Sequence, residues 1–138
     1  MKPLKTILLI EDDRVDYITV ARALREVGDR NDLVNAKNGE EALAFLKAPE
    51  NKKPCVILLD INMPRMNGIE FLRVVKNDPD LRRIPVVVLT TSRAEQDIEA
   101  SFDLGVAGYM VKPLDYREFI EMVITVARYW RLSALPEG

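Results

Sequence analysis

The 138-residue chain has no histidine, one cysteine and no long apolar run, and each absence removes a class of function. Without histidine there is no Ser-His-Asp or Cys-His nucleophile pair, no histidine-ligated metal and no phosphohistidine on this chain. Cys55 has no second cysteine to pair with, which excludes an intramolecular disulfide or a thiolate metal cluster. Free cysteines are among the most buried residue types, so Cys55 is expected to be an inert thiol in the core. No segment approaches the ~18 consecutive apolar residues of a membrane span, and Met1-Lys2-Pro3-Leu4-Lys5 leads into a short apolar stretch stopped by three acids. A cytoplasmic protein without a membrane partner is expected. Neither sign of charge is in excess: 20 basic against 22 acidic residues leave a net −2, which argues against a nucleic-acid binder driven by bulk charge. A Gly-x-x-x-x-Gly-Lys-[Ser/Thr] run is missing as well, so P-loop nucleotide hydrolysis has no support.

What is present fits one soluble domain. Its length suits a single core, and 48% apolar with 30% charged residues is a globular balance. Short β-branched runs alternate with segments of helical period, the pattern of βα units around a parallel sheet. The strand candidates are Thr6–Ile10, Asp32–Ala36, Val56–Asp60, Pro85–Thr90 and Gly108–Val111. The third and fourth read Val-Ile-Leu-Leu and Val-Val-Val-Leu without alternation, as strands buried on both faces do. Tyr17, Val20, Ala21 and Leu24 follow the i, i+3, i+4, i+7 spacing of an amphipathic helix, with Gly28 placed to end it. Glu40–Lys47, Ile69–Asn77, Ala94–Leu104 (ending at Gly105) and Tyr116–Leu132 supply four more helices. Pro49 to Pro54 reads as a surface loop, the core as about 5–130, and 131–138 as a short tail.

Open α/β sheets bind ligands at the carboxyl ends of their strands, and the chemistry of this chain gathers there. The first strand ends in Glu11-Asp12-Asp13 and the third in Asp60. Carboxylates that close repel one another unless some are protonated or a hard cation sits among them, and an all-oxygen set with open positions suits Mg²⁺. Helix capping is the alternative account of Glu11 to Asp13. Thr90 ends the fourth strand and Lys112-Pro113 the fifth, so a hydroxyl and an ammonium face the acids. Carboxylates for a metal, one carboxylate as nucleophile, and Lys and Thr for phosphoryl oxygens are what phosphoryl transfer to aspartate requires.

From about Lys5 to Trp130 the sequence resembles the receiver-domain family of two-component signalling. The resemblance is carried by Ile10-Glu11-Asp12-Asp13, by Leu59-Asp60-Ile61-Asn62-Met63-Pro64 with Asn67-Gly68, by Val88-Leu89-Thr90-Thr91, and by Gly108-Tyr109-Met110-Val111-Lys112-Pro113. It implies a (βα)5 doubly wound, flavodoxin-like fold with strand order 2-1-3-4-5. It also implies a stand-alone response regulator, since the chain is too short for a receiver plus an output module. Position by position, it implies that Asp60 is the phospho-acceptor and that Glu11, Asp12, Asp60 and the backbone carbonyl of Asn62 gather Mg²⁺, with Asp12 a direct ligand and Asp13 a cap. Lys112 would bond a phosphoryl oxygen, and the bond before Pro113 would be cis. Thr90 and Tyr109 would form the switch pair, while the Asn62, Thr91 and Ser92 side chains tune the acyl-phosphate lifetime. The protein would assist only its own phosphotransfer and dephosphorylation.

The donor would be a sensor histidine kinase. The stretch Asn77-Asp78-Pro79-Asp80-Leu81-Arg82-Arg83-Ile84-Pro85 with Leu89-Thr90-Thr91-Ser92 is similar to regulators paired with phytochrome-type kinases. Phosphorylation would remodel the face built from the fourth helix, fifth strand and fifth helix and so reach a downstream protein. In the fifth helix Ile120, Val123, Ile124 and Ala127 make one apolar stripe, extended by Phe119, Met122, Val126, Tyr129 and Trp130. One face cannot bury all of these, so a homodimer or a partner protein is expected there. Three other readings compete. A haloacid-dehalogenase-type phosphatase wants Asp-x-Asp-x-Thr, but Asp60 is followed by Ile-Asn-Met-Pro. An FMN-binding flavodoxin-like protein would find its phosphate repelled by Glu11-Asp12-Asp13. The third is a receiver scaffold that is never phosphorylated.

Overall fold

The computed structural model describes residues 5–27, 31–63 and 65–134. Strands and helices alternate without exception: β1 (Lys5–Ile10), α1 (Arg14–Glu26), β2 (Asn31–Ala36), α2 (Gly39–Lys47), β3 (Val56–Leu59), α3 (Gly68–Asn77), β4 (Val86–Thr90), α4 (Glu95–Asp103), β5 (Gly108–Val111) and α5 (Tyr116–Leu132). The strands form one sheet in the order β2-β1-β3-β4-β5, every neighbouring pair parallel. This is the doubly wound, flavodoxin-like order the sequence implied.

Alternate residues of the central strands feed two separate cores, because successive side chains of a strand point to opposite faces. Leu8, Ile10, Ile57, Leu59, Val86 and Val88 pack with Ala42 and Leu46 of α2 and with Phe71, Leu72 and Val75 of α3. Ile7, Leu9, Val56, Leu58, Val87 and Leu89 pack with Val20, Ala23 and Leu24 of α1 and with Phe119, Ile120, Val123 and Ala127 of α5. With helices on both sides, β3 and β4 are buried along their whole length.

Side-chain caps explain where most helices begin. Asp13, Asn38, Asn67 and Asp115 each accept a hydrogen bond from the amide three residues on, and α2 and α3 start one residue earlier than the periodicity alone placed them. Ala94 before α4 makes no such bond. That helix is shorter than expected because Ala94 and Leu104 are its flanking caps, and Gly105, at φ +87°, takes the left-handed conformation that ends it. β4 begins at Val86 because Pro85 has no amide to donate; its carbonyl still accepts from Ile57.

Three expectations need correction. Cys55 is only partly buried: it stands one residue before β3 and packs at the margin of the core shared with α1 and α5. In α5 the buried set is Phe119, Ile120, Val123 and Ala127, with Ile124 only partly covered, so the inward stripe is turned toward Phe119. The helix runs through Leu132, so the tail begins later than residue 131. Gly28, Pro64 and the last four residues of the tail lie outside the described residues. Among the described residues no helix is long and apolar enough to cross a membrane.

Candidate functional site

Parallel strands deliver their carboxyl ends to one edge of the sheet, and the sequence has loaded that edge with charge. Glu11 and Asp12 follow β1, Asp60 follows β3, Thr90 closes β4 and Lys112 follows β5. Backbone bonds extend the ladders past the strands and fix these residues: the Asp60 amide donates to Ile10, that of Glu11 to Ala36 and that of Lys112 to Thr90.

Two donors hold one oxygen of Asp60. The Thr90 hydroxyl and the Asn62 amide both reach Oδ1, at 3.0 Å each. Among the described residues the other oxygen, Oδ2, has only Lys112 at 3.5 Å. Lys112 makes closer contacts elsewhere, its Nζ donating to Glu11 Oε1 at 2.5 Å and to Asp16 Oδ2 at 2.7 Å. Asp60 is 7% exposed and Lys112 8%, while Glu11 is 2% exposed and Asp12 faces solvent. Carboxylate oxygens of Glu11, Asp12 and Asp60 lie within 4.8 Å of one another. These hard oxygen donors, crowded together and, among the described residues, outnumbering the one ammonium beside them, fit a divalent cation of the Mg²⁺ type.

Burial sets the titration of the group. It pushes the Glu11 carboxyl up to about 7, against the hydrogen bond and charge of Lys112, which pull it down. Burial alone would lower the Lys112 ammonium, but bonds to Asp16 and Glu11 and the charges of Glu11 and Asp60 more than reverse this, leaving it above the ordinary lysine range.

A second set of contacts runs from Thr90 toward α4. The Ser92 hydroxyl donates to Asp97 Oδ2 at 2.6 Å and accepts from the Ala94 amide at 3.3 Å. Its carbonyl accepts the Tyr109 hydroxyl at 3.0 Å, and its amide approaches Thr90 Oγ1 at 3.4 Å. Tyr109 is half-buried, and desolvation pushes its hydroxyl pKa up. The Asn62 and Thr91 side chains are exposed, close to the site by chain position but making no bond to Asp60 of their own.

The structure thus brings Glu11, Asp12, Asp60, Thr90 and Lys112 together, and joins Tyr109 to Thr90 through Ser92. Asp13 caps α1, accepting from the Asp16 amide at 3.1 Å. The Lys112–Pro113 bond is trans, with no cis peptide among the described residues, so the expected cis bond is corrected; the tertiary amide before proline leaves either isomer accessible. The loop after β3 is held close by Gly68: a Cβ there would stand 2.5 Å from Ile61 Cα, which adjoins Asp60.

Two residues escaped the sequence reading. Asp16, a partner of Lys112, sits three residues after the Asp13 cap, where an acid is already accounted for by the helix N-terminus. Asp97 was hidden the same way, in the first turn of α4.

A carboxylate at a strand end, gripped by a hydroxyl and faced by a buried lysine among metal-type acids, defines a phosphoryl-handling class of protein. The comparisons make it specific: the chain belongs to the response regulator receiver domain family, matching it over residues 7–124, and is a signalling protein of two-component phosphorelays. Response regulator Rcp1 of Synechocystis sp. is 40% identical over 132 residues, covering 93% of this chain and 90% of Rcp1. The crystal structure of the phosphorylated cyanobacterial phytochrome response regulator RcpA superposes with a TM-score of 0.93 at 36% identity, covering 98% of this chain and 100% of that one. The Mn²⁺-bound form of Rcp1 gives 0.90 at 38% identity, covering 96% and 99%.

Proposed function

We propose that this chain is a single-domain response regulator whose Asp60 accepts a phosphoryl group from a sensor histidine kinase in a Mg²⁺-dependent reaction. The observation that carries this reading is the environment of Asp60: Oδ1 held by Thr90 and Asn62, and Oδ2 approached, among the described residues, by Lys112 alone at 3.5 Å. In the transfer an Asp60 oxygen bonds to phosphorus, the bond from phosphorus to the donor breaks, and the donor leaves with that electron pair. Glu11, Asp12, Asp60 and the Asn62 carbonyl would hold the cation, which supplies positive charge to the phosphoryl oxygens when bound. Lys112 and Thr90 hold two of those oxygens and assist both transfer and hydrolysis, and Asn62, Thr91 and Ser92 tune the lifetime. The Mn²⁺-bound form of Rcp1 supports the metal.

Phosphorylation places about −1.5 to −2 charge at the sheet edge, if an acyl phosphate behaves as a phosphorylated hydroxyl does. Thr90 and Tyr109 read that charge and pass it to the face formed by α4, β5 and α5. The bonds from Thr90 to Asp60 and from Tyr109 to Ser92 support this route. Moving such a face from mostly off to mostly on takes ~5.5 kcal/mol, within reach of a few charge-assisted hydrogen bonds.

The protein acts by docking, in the cytoplasm, on a downstream partner. A phytochrome-type kinase as donor is supported by the likeness to RcpA. Homodimerisation through α5 is supported by its exposed end, where Tyr129 is 62% and Leu132 76% exposed. A monomer in sedimentation at high concentration, with and without a phosphoryl mimic, removes the dimer.

The test of the central reading is intact mass after incubation with acetyl phosphate and Mg²⁺, for wild type and Asp60→Asn, with EDTA as control. A gain of one phosphoryl mass that needs both Asp60 and the metal is expected. A wild type that stays unmodified, and that also takes no beryllium fluoride, overturns it in favour of an unphosphorylated scaffold.

A further inference from the structure

We propose that Asp16 is a positioning residue that holds Lys112 back from the phosphoryl site, so that the phosphoryl group must compete with it for the lysine. The inference rests on Asp60 being the phospho-acceptor. Lys112 is the ammonium within reach of Asp60, yet it lies 3.5 Å from Asp60 Oδ2 and only 2.7 Å from Asp16 Oδ2. An ammonium has three protons, and here three carboxylates claim them: Glu11, Asp16 and Asp60. When Asp60 takes the phosphoryl group its own 3.5 Å contact with Lys112 passes to a phosphoryl oxygen, and closing that distance to a full charge-assisted bond draws Nζ away from Glu11 or Asp16.

Asp16 differs from the other two in its support. It lies on the first turn of α1 rather than at a strand end, and its side chain is 24% exposed against 2% for Glu11 and 10% for Asp60. Water can replace Lys112 at Asp16, whereas Glu11 would be left buried without its cation. Asp16 is therefore the bond that yields, and its strength sets how readily Lys112 turns to the phosphoryl oxygens. Its negative charge also opposes the incoming phosphoryl charge, acting in the same direction.

Beryllium fluoride at saturating Mg²⁺ supplies the probe, with the binding midpoint read from the amide resonances of Thr90 and Lys112. Asp16→Asn keeps the volume and weakens the competing bond; Asp16→Ala removes it. Each variant should lower the midpoint by about fivefold, the scale of one charge-assisted hydrogen bond against water, with Ala at least as large as Asn. Asp13→Asn removes one charge from the same helix turn, keeps a cap and touches no lysine, so it should leave the midpoint within about twofold. An unchanged or raised midpoint in both Asp16 variants overturns the restraint. An equal fall in Asp13→Asn assigns the effect to bulk charge and overturns it too. A wild type that shows no Mg²⁺-dependent response to the probe overturns the Asp60 reading itself, a result distinct from a responding wild type with unaltered variants.

Discussion

Helices α3 and α4 are neighbours in the fold, yet they are fastened by different physics. α3 buries Gly68, Phe71, Leu72 and Val75 and is capped by Asn67. α4 buries Ser101 alone, starts at Ala94 without a side-chain cap and has no basic residue in its last turn. What holds α4 is a set of polar hooks: Ser92 to Asp97, Ser101 to the Asp97 carbonyl, and Tyr109 to Ser92. Apolar burial resists any displacement, while a few hydrogen bonds can be exchanged for others at little cost. The helix with the smaller core share is the one wired to Thr90 and Asp60, as expected of an element drawn from the low-stability end of a fold.

The largest expected effect breaks the anchored side. Phe71 is fully buried, so Phe71→Ala should cost about 3–5 kcal/mol in urea unfolding. Phe102 on α4 is 52% exposed, and Phe102→Ala should stay within about 0.5 kcal/mol. Comparable losses would erase the contrast between the two helices.

Proton linkage at the strand ends comes next. Glu11 has a folded pKa raised to about 7 by burial, so it carries a proton below that value and a charge above it. The groups facing it are Lys112, which stays charged, and the carboxylates of Asp60 and Asp12. A cation must displace the Glu11 proton, so Mg²⁺ binding should weaken as pH falls through 7, approaching tenfold per unit below it. For the metal-free fold the sign is opposite: the raised pKa contributes stability that is present below the unfolded value and lost as pH rises through 7. Titrations of Mg²⁺ at pH 8 and pH 6, followed by α4 and α3 amides separately, check both the slope and the route; α4 should respond and α3 should not.

A smaller effect isolates the hooks. Ser92→Ala deletes the bond to Asp97 and the acceptor for the Ala94 amide, both partly solvent-exposed. Local opening of α4 should become easier by about 1 kcal/mol, seen as roughly fivefold faster amide exchange there with α3 unaltered.

Most of this architecture was legible because it depends on period and punctuation. The unalternating runs at Val56 and Val86 could belong only to strands covered on both sides, and Asp60, Thr90 and Lys112 mark where such strands end. What could not be read was the partner choice of charged side chains. Lys112 was expected to face Asp60, and it does, but its closer partners are Glu11 and Asp16, a competition that no spacing rule encodes. Cys55 and Ile124 were placed too deep for a related reason: burial at the start of a strand or the flank of a helix depends on which neighbour covers it.

The smallest effect asks whether the missing cap matters. Ala94 is exposed and precedes α4 with extended backbone angles, φ −65° and ψ 127°, so a serine fits there without strain. Its hydroxyl would accept from the Asp97 amide, which at present donates to the Ala94 carbonyl at 3.0 Å. Ala94→Ser should therefore stabilise α4 by about 0.5–1 kcal/mol, slowing its exchange about threefold while leaving α3 unchanged. With its first turn pinned, α4 should also shift less on beryllium fluoride binding, since the same donor energy now works against a better-fastened helix. If exchange is unaltered, Ser92 is already serving as the cap through the Ala94 amide, and the weak anchoring of α4 lies in its lack of apolar burial alone.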